Sequence, residues 1–225
     1  MPALIRSDQF NEPKGALPKR TLVLVRHGES QGNRKNEFTG WRDVGLTDQG
    51  INEAHAVARS LKTTGLKFQA VFSSALDRAK ATASIILADL GQTDTPIISD
   101  PALNERDYGE LTGMNKDEAR VRWGSVQVKE WRRSYDAAPP GGESLKDTAA
   151  RVLPYYIRKI LPATMRDGPI LVVAHGNSLR ALVMVLDGLG AGDIEKVEIA
   201  TGQVMLYNLA ADTTVESHRT LSRSE

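Results

Sequence analysis

Two short apolar runs, Leu22-Val23-Leu24-Val25 and Ile170-Leu171-Val172-Val173-Ala174, stop abruptly at histidine and glycine: Arg26-His27-Gly28 after the first, His175-Gly176 after the second. Runs this short and this rich in β-branched residues read as buried strands. Strands of that kind alternating with helices form a mostly parallel sheet covered on both faces, a three-layer α/β/α sandwich. Such folds place their ligands at the carboxyl ends of the strands. Two histidines at two parallel strand ends therefore meet at one edge, with an arginine beside the first. That combination suits phosphoryl transfer through a phosphohistidine.

The rest of the chain keeps the alternation. Thr21–Val25, Ala70–Phe72, Pro96–Ile98 and Ile170–Ala174 read as strands, and Val197–Ile199 and Val204–Asn208 as two more. Between them, Thr47 opens a helix with Ile51, Ala54, Val57 and Leu61 at helical spacing, closed by Gly65. A second helix covers Ala75–Leu90 and ends at Gly91. Asp100–Gly113 is a polar loop. Asn115 caps a helix to Trp123, Val126–Ser134 is another, and Tyr135–Gly142 breaks the pattern. Ser144 caps a long helix to about Ile160, kinked by Pro154. Ser178–Leu189 is the last helix.

With 225 residues, the chain is long enough for one sizeable core. We divide it into an N-terminal extension (1–20), a catalytic domain (21–210) and a polar C-terminal tail (211–225). The extension carries charge and two internal prolines and no apolar core of signal-peptide length; it packs on the surface or serves a homo-oligomer contact. Nowhere does an apolar run approach the roughly 20 residues that span a bilayer, so a cytoplasmic protein without membrane contacts is expected. The 29 Lys and Arg balance 28 Asp and Glu, which argues against a nucleic-acid footprint across the chain but leaves room for a basic pocket. Cysteine is absent, which excludes disulfides, thiolate metal sites and cysteine nucleophiles.

Four groups of residues carry chemistry. A neutral imidazole at His27 is nucleophilic near pH 7 without a separate base; Gly28 lets a phosphate approach closely, and Arg26 offers a planar fork to its oxygens. Arg-His-Gly alone also reads as a strand-end histidine beside a surface ion pair. His175 can donate to a phosphoryl oxygen, and Asn177 lies at a helix N-terminus, where donors favour anions; the bland alternative is a satisfied buried histidine. Arg78 and Arg132-Arg133 by themselves read as solvated. Glu105, on a loop among arginines and apolar residues, has the makings of a general acid and base.

The segments Arg26-His27-Gly28-Glu29-Ser30-Gln31-Gly32-Asn33 and Phe38-Thr39-Gly40-Trp41 resemble the histidine phosphatase superfamily, specifically its cofactor-dependent phosphoglycerate mutases. So do Asn104-Glu105-Arg106-Asp107-Tyr108-Gly109-Glu110-Leu111-Thr112-Gly113-Met114-Asn115-Lys116, Trp131-Arg132-Arg133 and Ala174-His175-Gly176-Asn177-Ser178-Leu179-Arg180-Ala181-Leu182. The likeness runs from Thr21 to Asn208. It implies that His27 becomes the phosphohistidine, with Arg26, Arg78 and His175 around the transferred group and Glu105 exchanging protons. Ser30, Asn33, Thr39, Gly40, Tyr108, Lys116, Arg132, Arg133, Gly176 and Asn177 would then bind the carboxylate and phosphates of phosphoglycerates. The resemblance also implies priming by 2,3-bisphosphoglycerate without a metal.

One departure stands out. Longer members of the family carry an extra segment where Pro139-Pro140-Gly141-Gly142-Glu143-Ser144 here joins two helices directly. A more open, wetter site would make the chain a hydrolase of small phosphate esters. A silent phosphometabolite-binding protein is a third reading. Lys116 and Arg132-Arg133 favour the mutase over the hydrolase, and the intact trio His27, Glu105 and His175 speaks against the silent protein.

Overall fold

The structure, a computed structural model, describes residues 20–222; residues 1–19 of the N-terminal extension lie outside the described residues. A six-stranded sheet forms the middle layer: β1 (Thr21–Arg26), β2 (Ala70–Ser74), β3 (Ile97–Asp100), β4 (Ile170–Ala174), β5 (Val204–Leu209) and β6 (Val215–Leu221). Their spatial order is β3-β2-β4-β1-β5-β6. The first four in that order run parallel, and β5 and β6 are antiparallel.

Side chains alternate across this sheet. Leu22, Leu24, Ile170 and Val172 face one apolar cluster, while Val23, Val25, Leu171 and Val173 face another. After a one-turn α1 (Gln31–Arg34), helices α2 (Asp48–Lys62) and α3 (Asp77–Asp89) cover the second face with Val57, Leu61, Ala83 and Ile86. Helices α6 (Leu145–Tyr155) and α8 (Gly176–Leu186) cover the first with Val152, Leu179 and Leu182. Burial on both faces explains why the central strands are continuously apolar rather than alternating. The expected three-layer sandwich is what the chain builds. A third cluster of Phe38, Leu111, Ala119, Val128 and Trp131 packs α4 (Lys116–Trp123) and α5 (Ser125–Arg133) with neighbouring loops.

The pairing of β1 with β4 sets the site. Arg26 lies opposite Ala174, and the His27 N–H donates to the Ala174 carbonyl at 3.0 Å. Both histidines thus leave the sheet at the same level. β2 flanks β4 on its other side and delivers Ser74 to that edge.

Several boundaries differ from expectation. Val197–Ile199 is not a strand: its start turns back on α9 (Ala191–Ile194) through Val197 N–H to Ile194 O, and the Ile199 carbonyl accepts the Arg26 guanidinium at 2.6 Å. Part of the supposed polar tail, Val215–Leu221, pairs with β5 as an edge strand through a tight turn in which Thr213 has φ 73°. Its exposed, polar side chains give no strand periodicity to read. The helix expected to stop near Ile160 passes Pro154, makes one π-turn at Tyr156–Ile160 and continues as α7 (Leu161–Asp167). There the Leu161 N–H reaches the Tyr156 carbonyl, the i to i+5 bond of a π-turn. Finally, α8 starts at Gly176 rather than Ser178 because Ser178 Oγ accepts the His175 N–H at 3.1 Å and caps it there. Its C-terminus, placed near Leu189 by sequence, comes at Leu186 with Gly188 at φ 64°.

The loop after β1 presses directly on the first turn of α2. A Cβ on Gly50 would lie 2.0 Å from the Glu29 carbonyl oxygen. Gly50→Ala is therefore expected to destabilise the fold by about 1–3 kcal/mol, the usual cost of overpacking, lowering the thermal midpoint at roughly 2–4 °C per kcal/mol. Gly45→Ala, where an added Cβ meets nothing, should leave the midpoint unchanged. Equal midpoints for the two variants by circular dichroism would contradict this packing.

Candidate active site

A single cleft at the carboxyl edge of the sheet is lined by Arg26, His27, Ser30, Asn33, Thr39, Gly40, Arg78, Glu105, Tyr108, Lys116, Arg132, Arg133, Gly176 and Asn177. These are all the residues singled out from the sequence except His175. That histidine sits behind His27, fully buried, with ring centroids 4.8 Å apart.

The rigid strand end fixes the His27 ring. Its Nδ1 lies 2.6 Å from its neighbour's Gly28 carbonyl oxygen. A carbonyl only accepts, so the proton sits on Nδ1 and the lone pair is left on Nε2. Burial, then the positive charges of Arg78 and Arg26, push the imidazole well below its ordinary range; the Gly28 contact pulls weakly the other way. The ring is neutral at physiological pH, as a nucleophile must be.

His175 is held by a chain of its own. The Leu76 N–H donates to Ser74 Oγ at 3.2 Å, and Ser74 Oγ is 2.7 Å from His175 Nε2. Ser74 Oγ keeps its proton and a second lone pair, so the contact serves either tautomer; when the hydroxyl donates to Nε2, the imidazole proton sits on Nδ1. The Nδ1 atom is buried with no hydrogen-bonding partner among the described residues. Burial again comes first in lowering its pKa well below the ordinary value, followed by Arg78, His27 and Arg26.

The cations nearest His27 are held by neutral groups. Arg78, 1% exposed, donates to the Arg42 and Gly40 carbonyls at 2.9 and 2.8 Å. Arg26 uses the Ile199 carbonyl, and its Nε is buried and unpartnered. Carbonyls fix a guanidinium without cancelling its charge. Desolvation, opposed by Glu105, lowers the Arg78 pKa, yet the group stays protonated. Lys116 is brought down to about 8, first by burial and then by the charges of Arg132 and Arg26. Among the described residues, Arg133 is the one cleft cation with a carboxylate at ion-pair distance: Glu198 at 3.1 Å, itself largely exposed, in a pair that contributes little.

Glu105 has one oxygen committed and one free. Its Oε1 accepts from the Arg106 N–H (2.8 Å), the Asn177 N–H (3.1 Å) and Asn177 Nδ2 (2.9 Å). Its Oε2 lies beside Gly176, 3.7 Å from where a Cβ there would sit. The amides at the start of α8, expected to serve an anion, thus go in part to Glu105. Arg180 sets this up: buried at 3% exposure, it donates to Asn177 Oδ1 at 3.0 Å, turning Nδ2 toward Glu105 and Tyr108.

Sequence reasoning missed Ser74, Glu37, Arg180, Glu198 and Ile199. Arg180 follows Asn177 by three residues, a spacing that places both on one helix face, so it was within reach. The others come from strand ends and loops, where no local pattern marks them.

A profile of the histidine phosphatase superfamily (branch 1) matches residues 22–219. The chain belongs to the histidine phosphatase superfamily. Within it, a 2,3-bisphosphoglycerate-dependent phosphoglycerate mutase of Methylobacterium sp. (strain 4-46) is 62% identical over 205 residues, covering 91% of this chain and 99% of that protein. Mutases of the same description from Mesorhizobium japonicum and Brucella canis are each 59% identical, covering 90% of this chain and 98% of theirs. Among solved structures of this superfamily, the alpha-ribazole phosphatase of Shigella flexneri superposes with a TM-score of 0.76 at 27% identity, covering 91% of this chain and 97% of that one. A mycobacterial glucosyl-3-phosphoglycerate phosphatase in complex with VO3 gives 0.76 at 25%, covering 89% and 97%. Among the described residues, no helix is long and apolar enough to cross a membrane.

Two neutral buried histidines link this superfamily site to stability. Their folded pKa values lie below the unfolded value near 6.5, so as pH falls below about 6.5 the unfolded chain takes up protons first. Stability from the neutral rings is present above that pH and lost below it, at up to about 1.4 kcal/mol per pH unit for each ring. Urea unfolding between pH 7.5 and 5 should show a steeper loss for the native chain than for a His27→Asn/His175→Asn variant. Parallel slopes would contradict neutral burial.

Proposed function

We propose that this protein interconverts 3-phosphoglycerate and 2-phosphoglycerate through a phosphoryl group carried on His27. The observation that carries the reading is the set of cations lining one cleft with a neutral, lone-pair-bearing His27. Arg26 and Arg78 are held by backbone carbonyls and keep their charge for a ligand, and Lys116, Arg132 and Arg133 add to the same wall. A hydrolase of simple phosphate esters has less use for the second group. Relatives near 60% identity that are 2,3-bisphosphoglycerate-dependent mutases support the same conclusion.

A ligand with two phosphates and a carboxylate fits the unmet groups here. The buried Arg26 Nε and His175 Nδ1 lack partners, each a cost of about 1–3 kcal/mol that an oxygen acceptor removes. Arg26, Arg78 and His175 would hold the phosphate beside His27. Ser30, Asn33, Thr39, Gly40, Tyr108, Lys116, Arg132, Arg133, Gly176 and Asn177 would hold the rest. When bound, 2,3-bisphosphoglycerate supplies the phosphoryl group that primes the enzyme.

In transfer out, the His27 Nε2–P bond breaks and a phosphorus bond forms to the substrate hydroxyl, whose proton goes to Glu105 Oε2. The bisphosphorylated intermediate then turns over in the cleft; in the return the bond from its other phosphorus to oxygen breaks, His27 Nε2 takes up that phosphoryl group, and Glu105 gives its proton to the departing oxygen. Arg26, Arg78 and the His175 Nδ1–H stabilise the charge on the equatorial oxygens in both directions. No metal is part of this proposal. Water is the competing acceptor, and filling the cleft with a highly charged ligand keeps it from phospho-His27.

The test follows 2-phosphoglycerate and free phosphate together, with 3-phosphoglycerate as substrate, with and without 2,3-bisphosphoglycerate. Isomerisation that depends on priming and releases little phosphate is expected. Phosphate release without isomerisation would replace this reading with the hydrolase. Glu105→Gln keeps the shape and one acceptor oxygen but cannot take a proton; kcat should fall by about 10²–10⁴. An unchanged kcat would remove Glu105 from its role.

A further inference from the structure

The cleft residues do not by themselves explain what holds Glu105 still. Its loop is long and polar, and it carries the group that must meet a hydroxyl at hydrogen-bond distance. The answer lies outside the cleft, in the side chain of Arg151 on α6.

Arg151 gathers the backbone of this loop. Its Nη1 donates to the Ala102 and Asn104 carbonyls, both at 2.9 Å, and its Nη2 to the Glu105 carbonyl at 2.9 Å. The same guanidinium forms a two-pronged pair with Glu143, Nε to Oε1 at 2.9 Å and Nη2 to Oε2 at 2.8 Å. Glu143 Oε2 also accepts the Asp107 N–H at 3.0 Å. Trp41 adds its indole N–H to the Glu105 carbonyl at 2.5 Å, with the Arg151 guanidinium 5.5 Å from its ring centroid. The pair is about four-fifths buried on both sides. Burial alone would push the Glu143 carboxyl up; Arg151 and the Asp107 and Thr148 donors outweigh it and hold it below the usual range.

Glu143 comes from the short connection Pro139–Ser144. That connection seals against the loop backbone to backbone: Glu110 N–H to Pro140 O at 3.0 Å and Glu143 N–H to Asp107 O at 2.8 Å. Gly109 has φ 53°, and a Cβ there would lie 2.2 Å from the Pro140 oxygen. The segment that looked in sequence like a missing cover is a brace.

We propose that Arg151, locked by Glu143, is a positioning residue that fixes the catalytic loop so that Glu105 Oε2 faces the reacting hydroxyl. This rests on the reading of Glu105 as the proton-exchanging group. Arg151 touches neither substrate nor reacting atoms; it acts through the Glu105 backbone. A displacement of about 1 Å in such a group can cost about 10²-fold in rate, and a lysine cannot reproduce a fork that serves three carbonyls and a carboxylate at once.

A double-mutant cycle tests it on the full-length protein, with Arg151→Gln and Glu105→Gln alone and together. Arg151→Gln should lower kcat with 3-phosphoglycerate about 10- to 100-fold while KM changes less than about threefold. In the Glu105→Gln background the same change should cost less than about twofold, because the group it positions is already silent. Arg151→Lys should recover part of the loss. Should Arg151→Gln fail to fold, Arg151→Lys and Glu143→Gln carry the same cycle. The proposal is overturned if kcat stays within twofold of the native enzyme, or if the loss is equal in both backgrounds, as a general loss of structure would give. If the native protein releases phosphate and does not isomerise, the mutase reading fails, and the cycle read on phosphate release still decides the role of Arg151.

Discussion

The parallel pairing of β1 with β4 is the interaction on which the rest of the molecule depends. A register that sets Arg26 against Ala174, with the His27 N–H bonded to the Ala174 carbonyl, sends His27 and His175 off the sheet together. A slip of one residue would turn every side chain of β1 to the opposite face. The apolar faces forbid it, since Leu22 and Leu24 serve one core and Val23 and Val25 the other. Packing of the middle layer thus fixes the geometry of two imidazoles without any contact between the core and a ligand.

Charge is handled in the same indirect way. Cations near His27 are anchored by carbonyls of Ile199, Gly40 and Arg42, so the site is rigid and still positive. Burial, and then the same positive field, keeps both imidazoles neutral, which leaves His27 with a lone pair. Pairing those arginines with carboxylates would have stabilised the free protein and taken the site away from an anionic ligand. The carboxylate of Glu105 lines the same cleft, and it is immobilised from both ends: Oε1 by three donors, its carbonyl by Arg151 and Trp41.

Much of this was legible in the sequence, and the parts that were not share a physical cause. Buried strands and amphipathic helices announce themselves by apolar pattern, so the sandwich and its ligand edge followed from β1 and β4 alone. Fourteen of the fifteen residues singled out line one cleft, and the fifteenth, His175, sits directly behind His27. The edge strand β6 stayed hidden because its side chains are polar and exposed, and Val197–Ile199 misled because an apolar stretch spends a carbonyl on Arg26 instead of a ladder. Ser74, Glu143 and Arg151 act through hydrogen bonds between segments far apart in the chain, and spacing along one segment carries no record of them.

The central claim is that Nδ1 of His27 is protonated onto Gly28 and that Nε2 carries the phosphoryl group. Phosphorus and nitrogen NMR of the protein after brief incubation with 2,3-bisphosphoglycerate reads both atoms at once. A phosphoramidate on His27 Nε2 with the Nδ1 proton retained is the predicted result. Phosphorylation at Nδ1, on another residue, or on none would contradict the account.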